Sequence, residues 1–455
     1  MKVKEGHGQT IAGGRYLPLF KTGTGHLFQS VGARTLFRSR GTMHTLIEQA
    51  WRGKIPRQVR LVAAAEKIDP VLLREKVAEG SVVIMERGKR CTGIGSGLST
   101  KINVNLGTST SKVCTENEIA KARIAEQFGA DTISDLSMGG DINAIREAIM
   151  TSTTLPLTTV PVYQTVVEHG LHEMTAKDII ETLAMQAGQG VSSFVIHCVN
   201  HTMLEEFRRQ KRILGVVSKG GSITSAFMLV NECENPFVEH FDEVLSICKK
   251  HDIVLSLGNT ARSGCINDRR DKAQLEEIRQ NVGLAHRAHE KGIQVIIEGT
   301  GGHIRFDRIA SYVRYQKRQS VFPLFVAGPL PVDIAVGYDH IAGCAGASIA
   351  SAAGADYLCY ITPAEHLGLP GPESVKEGLI AFRIAAHIGD TVKYKSVESD
   401  KKVALMRAAL DREGQIQYAL DAVRARSLAD GETECTMCGK FCAIRIMKEF
   451  LGHSD

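Results

Sequence analysis

The feature that most constrains this chain is a repeat of short apolar runs, each followed by an amphipathic stretch, from Gly97 to about residue 390. The strand candidates are INVNL (102–106), DTISDL (131–136), LPLTTVPVY (155–163), SSFVIHCV (192–199) and ILGVVS (213–218), then DIVLSLG (252–258), QVIIEG (294–299), PLFVAG (323–328) and DYLCYIT (356–362). Helical segments such as ENEIAKARIAEQFG and HFDEVLSICKKHD lie between them. Strands alternating with helices in this way build parallel β/α architecture. Polar residues gather where the strands end: Asn105, Asp135, Tyr163, His197, Ser218, Asn259, Glu298 and His366. Spread over the whole series, they favour a closed barrel, whose sites lie at the C-terminal strand ends, over an open sheet with one switch point. The expected fold is therefore α/β, a (β/α)8 barrel over 96–390. Nine candidates for eight places leave one surplus.

Before the barrel, residues 1–95 divide into a basic arm, Met1–Arg40, and a mainly helical stretch from His44 to about Gly80 that ends in a short strand at 82–85. After it, 391–455 read as a polar helix followed by a cysteine-rich tail. A net charge of +5 over 455 residues and 5% aromatics give no support to nucleic-acid binding. No apolar run reaches membrane-spanning length, and the first residues lack a signal-peptide core, so a cytoplasmic protein is expected.

Eleven cysteines in such a chain argue against a disulfide framework. Eight are scattered through apolar segments, but Cys435, Cys438 and Cys442 fall within ECTMCGKFCAI. Thiolates so close suit a soft metal centre. A zinc knuckle would need a fourth ligand, for which His453 is the nearest histidine. Three thiolates alone suit a four-iron, four-sulfur cluster with one iron left open, as S-adenosylmethionine-cleaving radical enzymes require.

A C-terminal triplet resembles the thiamin pyrimidine synthase family of radical enzymes, although the second spacing is one residue shorter than that family's usual one. The resemblance covers roughly 40–445 and rests on KINVNLGTS, GADTISDLSMGGD, TVPVYQ, FVIH, GVVSKGGS, ENPFVEHFDE, AGPLPVDIAVGYDHI and LCYITPAEHLGLPG. It implies a 4Fe-4S cluster on the three cysteines, S-adenosylmethionine as cofactor and aminoimidazole ribotide as substrate. The implied ribotide contacts are Asn105, Tyr163, His197, Asn259, Arg262, Glu298 and a phosphate loop of Ser218, Lys219 and Gly220. Arg262 and Glu298 are the implied catalytic groups. His303 and His366 match two histidines that hold one divalent metal, zinc or iron. A homodimer with crossing cluster tails is also implied, as is an electron donor such as flavodoxin or ferredoxin.

Several pocket positions depart from the family pattern. Ser134 replaces a methionine, Asn259 an aspartate and Phe325 a tyrosine. EGTGGHIRF carries an extra glycine and Arg305. Changes of charge and proton supply in one small site favour a different reaction course. The expectation is therefore the anaerobic relative 5-hydroxybenzimidazole synthase, a lyase feeding cobamide lower-ligand synthesis, with the thiamin pyrimidine phosphate as the alternative product. A non-enzymatic iron–sulfur or zinc sensor is a remote third reading.

Overall fold

The computed structural model describes residues 44–429 and 435–451; the arm Met1–Arg40 expected from the sequence lies outside the described residues. Thr45 caps the first helix, Leu46–Trp51, in a reciprocal capping box with Glu48. The helix Arg57–Glu66 follows. Asp69 then caps Pro70–Glu79, with proline in the first turn, where its missing N–H costs nothing. Next come β1 (Val82–Arg87) and β2 (Arg90–Gly95), an antiparallel hairpin.

Eight parallel strands then close into a barrel: β3 (Lys101–Leu106), β4 (Thr132–Asp135), β5 (Leu157–Thr159), β6 (Ser193–Ile196), β7 (Val254–Leu257), β8 (Val295–Glu298), β9 (Leu324–Ala327) and β10 (Tyr357–Cys359). β10 pairs with both β9 and β3, so no edge is left open. The expected barrel is the observed one. The surplus candidate is 213–218, which forms no strand. Gly215 there has φ 63°, Ile213 and Leu214 are exposed, and the segment runs as a loop into the helix Lys219–Asn231. LPLTTVPVY also yields only three strand residues. Pro161 starts the helix Pro161–His169 instead.

The hairpin closes the barrel floor. Val83, Met85 and Ile94 pack against Val254, Ile296 and Tyr357. The Gln294 side-chain amide pairs with the Ile84 backbone, accepting from its N–H at 2.6 Å and donating to its carbonyl at 3.1 Å. Above the floor, Phe325 stacks on Tyr357 at 4.0 Å between ring centres.

Alternation along β3 decides what faces inward. Ile102, Val104 and Leu106 join the core between strands and helices, whereas Asn103 and Asn105 are hydrogen-bonded to each other, to β4 and to β10. The same alternation corrects one strand-end residue. Asp135 is turned to the helix layer, where it pairs with Arg146 at 3.1 Å, and Ser134 lines the barrel mouth in its place.

After the long helix Pro372–Tyr394, the tail is helical with few buried side chains. Lys376–Asp421 at 3.0 Å and His387–Asp400 at 2.8 Å tie it to that helix. Among the described residues, no helix is long and apolar enough to cross a membrane.

Candidate active site

A cavity of about 120 Å³ opens at the C-terminal ends of the strands. It is lined by Asn105, Tyr163, His197, Ser218, Asn259, Arg262 and Glu298, all singled out from the sequence, and by Ser134, Phe325 and Cys359. Two larger cavities adjoin it, sharing Asn105 with it. One of about 460 Å³ includes Lys121, Lys219, Glu365 and His366; the other, about 280 Å³, includes Arg262, His303, Cys359, Glu365 and His366.

Each lining group has a fixed role in the geometry. The Asn105 amide accepts from Asn103 at 2.8 Å and donates to the Cys359 sulfur at 3.0 Å. His197 is 4% exposed, and its Nδ1 finds no partner among the described residues. Burial, reinforced by the Arg262 charge, lowers its pKa to about 3, so the ring stays neutral. Asn259 Oδ1 is likewise buried without a partner. Both residues line the cavity, which gives it a polar wall.

Ser218 ends the loop that replaces the surplus strand and caps the helix Lys219–Asn231, its Oγ accepting from Gly221 N at 3.2 Å. Gly220 has a steric reason: a Cβ there would meet the His197 ring at 2.4 Å. Lys219 reaches over the Tyr163 ring, 5.1 Å from its centre. Burial pushes the Tyr163 phenol up to about 12, against the pull of Arg262. It also raises the Glu298 carboxyl above its ordinary value, opposed by the Ser256 hydroxyl, which donates at 3.1 Å, and by Arg262.

His303 and His366 lie beside this cavity with their Nε2 atoms 3.3 Å apart. His303 Nδ1 faces Asp333 at 2.6 Å, and His366 Nδ1 faces Asp339 at 3.6 Å. Backbone bonds from His303 N to Ser263 O and from Ile304 N to Leu330 O pin the His303 loop. The extra glycine of EGTGGH has a use there: Gly302 has φ 81°, and a Cβ would lie 2.3 Å from Ser263 O. Two nitrogens on one tetrahedral ion, each at about 2.0–2.1 Å, stand about 3.3–3.4 Å apart, so the pair fits a divalent metal. The carboxylates behind them are the usual orienting partners of metal-bound histidine.

The cysteine tail is not gathered with this site. Cys435 and Cys438 are exposed and Cys442 is half-buried, in a segment leading to the helix Ala443–Leu451. Among the described residues, no three His, Cys, Asp or Glu side chains converge into a metal-holding group. Three thiols at that spacing still suit an iron–sulfur cluster by donor chemistry.

Residues 45–449 match the model of the Radical SAM ThiC family. The chain belongs to that family. Among curated proteins, a phosphomethylpyrimidine synthase of Dehalococcoides mccartyi strain CBDB1 is 44% identical over 428 residues, covering 90% of this chain and 99% of that one. One from Desulforamulus reducens is 43% identical over 418 residues, 88% of this chain and 96% of the other. One from Methanoculleus marisnigri is 43% identical over 419 residues, 89% and 98%. Radical SAM ThiC family membership implies a 4Fe-4S cluster and S-adenosylmethionine.

These relatives correct the expected product. The 5-hydroxybenzimidazole reading rested on pocket departures, but proteins similar over nearly the full chain carry the thiamin-pathway name. The geometry explains why the departures misled. Arg305 adds no charge to the site, because it is exposed and bound bidentately by Asp307 at 2.6 Å. Phe325 is half of a ring stack with Tyr357. Asn259 is still a polar residue of the cavity wall.

Sequence reasoning missed Cys359, Glu365, Asn103, Asp333 and Asp339. Asn103 and Cys359 were legible as inward positions of strands, on the parity that places Asn105. The two aspartates lie 30 and 27 residues from the histidines they face, inside AGPLPVDIAVGYDHI, and their pairing with those rings is set by tertiary contact.

Proposed function

We propose that this chain is a phosphomethylpyrimidine synthase, converting aminoimidazole ribotide to 4-amino-5-hydroxymethyl-2-methylpyrimidine phosphate for thiamin synthesis. The convergence of seven expected ribotide contacts, from Asn105 to Glu298, on one cavity supports the substrate, and the likeness to phosphomethylpyrimidine synthases over nearly the full chain is the observation that carries the product.

In this reading the N-terminus of the helix at Lys219, with Ser218, Lys219 and Arg262, holds the ribotide phosphate. His197 stays neutral and offers hydrogen bonds to the imidazole without competing for its charge. Tyr163 stays protonated and donates. Glu298, with its carboxyl raised by burial, can hold or release a proton beside the ribose. Asn105, fixed between Asn103 and Cys359, orients the ring. Cys435, Cys438 and Cys442 would hold the cluster, which with S-adenosylmethionine supplies the hydrogen-abstracting radical when bound. His303 and His366 would hold a divalent metal. The working unit is a homodimer whose tails cross, and a flavodoxin or ferredoxin supplies electrons.

The test is anaerobic incubation of the reconstituted, reduced protein with S-adenosylmethionine. Release of 5′-deoxyadenosine that depends on aminoimidazole ribotide and falls at least 100-fold in Glu298→Gln supports the reading. Release indifferent to the ribotide would refute it.

A further inference from the structure

The loop after β7 carries two pocket residues, Asn259 and Arg262, separated by Thr260 and Ala261. The backbone N–H groups of the intervening pair both donate to the carboxylate of Glu277, at 2.5 and 3.1 Å. Glu277 is 3% exposed and belongs to the helix Lys272–Glu290. That helix reads the loop with a polar stripe. Gln274 donates to the Ser263 hydroxyl at 3.2 Å, Glu277 takes the two amides, and Asn281 donates to the Gly258 carbonyl at 3.1 Å. The spacing of three and four residues puts all three side chains on one helix face.

Only an ionised carboxylate satisfies both of these donors. A glutamine offers a single acceptor oxygen, and its NH₂ would face the second N–H; a protonated carboxyl has the same defect. Among the described residues, no lysine or arginine forms an ion pair with Glu277. Arg212 is committed to Asp271 and to the Ala261 carbonyl. Holding an unpaired carboxylate in the interior is costly, yet the ionised form is the one that accepts from both N–H groups, so the loop geometry depends on the charge state of Glu277.

We propose that Glu277 is a positioning residue for the pocket: as a carboxylate it holds the Asn259–Arg262 loop in the form that presents both side chains to substrate, and on protonation it releases that loop. The proposal rests on the reading of this cavity as the ribotide site. Burial pushes the Glu277 carboxyl up to about 7, against the pull of the Ala261 and Thr260 amides and of Arg262. The other titratable group facing it is the Cys198 thiol, which stays protonated because burial and Glu277 both raise it. On the same helix, the neighbouring Glu276 is paired outward with Arg279.

The experiment compares the full-length wild type with Glu277→Gln and Glu277→Asp between pH 6 and 8.5. Three quantities are followed: melting temperature, affinity for aminoimidazole ribotide and exchange of the Thr260 and Ala261 amides. In the wild type, ribotide affinity should fall at least tenfold below a midpoint near pH 7, with the two amides losing protection over the same range. Glu277→Gln should be weak and unprotected at every pH, and Glu277→Asp should keep a pH-dependent limb. Wild-type affinity and unchanged amide protection in Glu277→Gln would overturn the proposal. If the wild type binds no ribotide, the functional reading fails, and amide exchange alone still decides the role of Glu277. If Glu277→Gln does not fold, the wild-type and Glu277→Asp profiles decide it, and a wild type without the limb overturns it.

Discussion

His303 and His366 present their Nε2 atoms to each other at 3.3 Å while each Nδ1 is turned to an aspartate, Asp333 or Asp339. An aspartate behind each ring favours the tautomer with the proton on Nδ1, leaving a lone pair on Nε2. Two such lone pairs repel unless a cation or proton lies between them. His366 also adopts φ 63°, a conformation uncommon for a non-glycine residue that functional sites tolerate.

The first prediction follows from that pair. Metal-free protein titrated with Co(II) should develop a ligand-field spectrum that His303→Ala or His366→Ala abolishes. Asp333→Asn should weaken binding by about 10–100-fold, the usual cost of losing an orienting partner. An unchanged spectrum in either histidine variant would remove the pair from the metal site.

Cysteine reactivity separates the exposed thiols from those buried in the barrel. Burial raises the Cys359 and Cys248 thiols to about 12, so they stay protonated at neutral pH. In iron-free native protein, a thiol alkylator should label the exposed Cys114, Cys435 and Cys438 within minutes and leave Cys248 and Cys359 unlabelled until denaturant is added. Peptide mass analysis reads the order. Early labelling of Cys359 would contradict its burial.

His197 makes stability depend on pH. Its folded pKa lies near 3, below the ordinary 6.5, so the unfolded chain binds the extra proton between those values. Its contribution is present above pH 6.5 and is lost as pH falls toward 3. Urea unfolding of wild type and His197→Asn at pH 7.5 and 5 should show the smaller acid loss in the variant. Equal losses would mean the ring is not held neutral.

The floor hairpin gives a stability prediction. Gln294→Ala leaves the Ile84 N–H and carbonyl unpaired in a buried place, which should cost about 1–3 kcal/mol in denaturant unfolding. A change well under 1 kcal/mol would show that the amide pairing is not needed to seal the barrel.

Much of this was legible in the sequence. The β/α alternation predicts the barrel, and polar strand ends predict Asn105, His197, Asn259 and Glu298 in one cavity. The segment 213–218 is apolar enough to read as a strand, yet it has no neighbour to pair with once β6 and β7 lie side by side. Asp135 misled because its strand ends one residue off the inward parity. The product is not legible for a related reason: substitution type alone does not fix chemistry, since Arg305 is turned to Asp307 and Phe325 to a ring stack. Side-chain direction is set by tertiary contacts that no local pattern encodes.

Subunit cooperation is testable by mixing. Cys438→Ala chains and Glu298→Gln chains, each inactive alone, should recover partial 5′-deoxyadenosine formation when exchanged into mixed dimers. No recovery, with exchange confirmed, would mean that each tail serves its own barrel.

The most direct measurement of the central claim is the mass of the product. Reconstituted protein should be turned over anaerobically with aminoimidazole ribotide, S-adenosylmethionine and a reductant, and the organic product analysed. The account predicts the aminopyrimidine phosphate as the main product; 5-hydroxybenzimidazole in its place would contradict it.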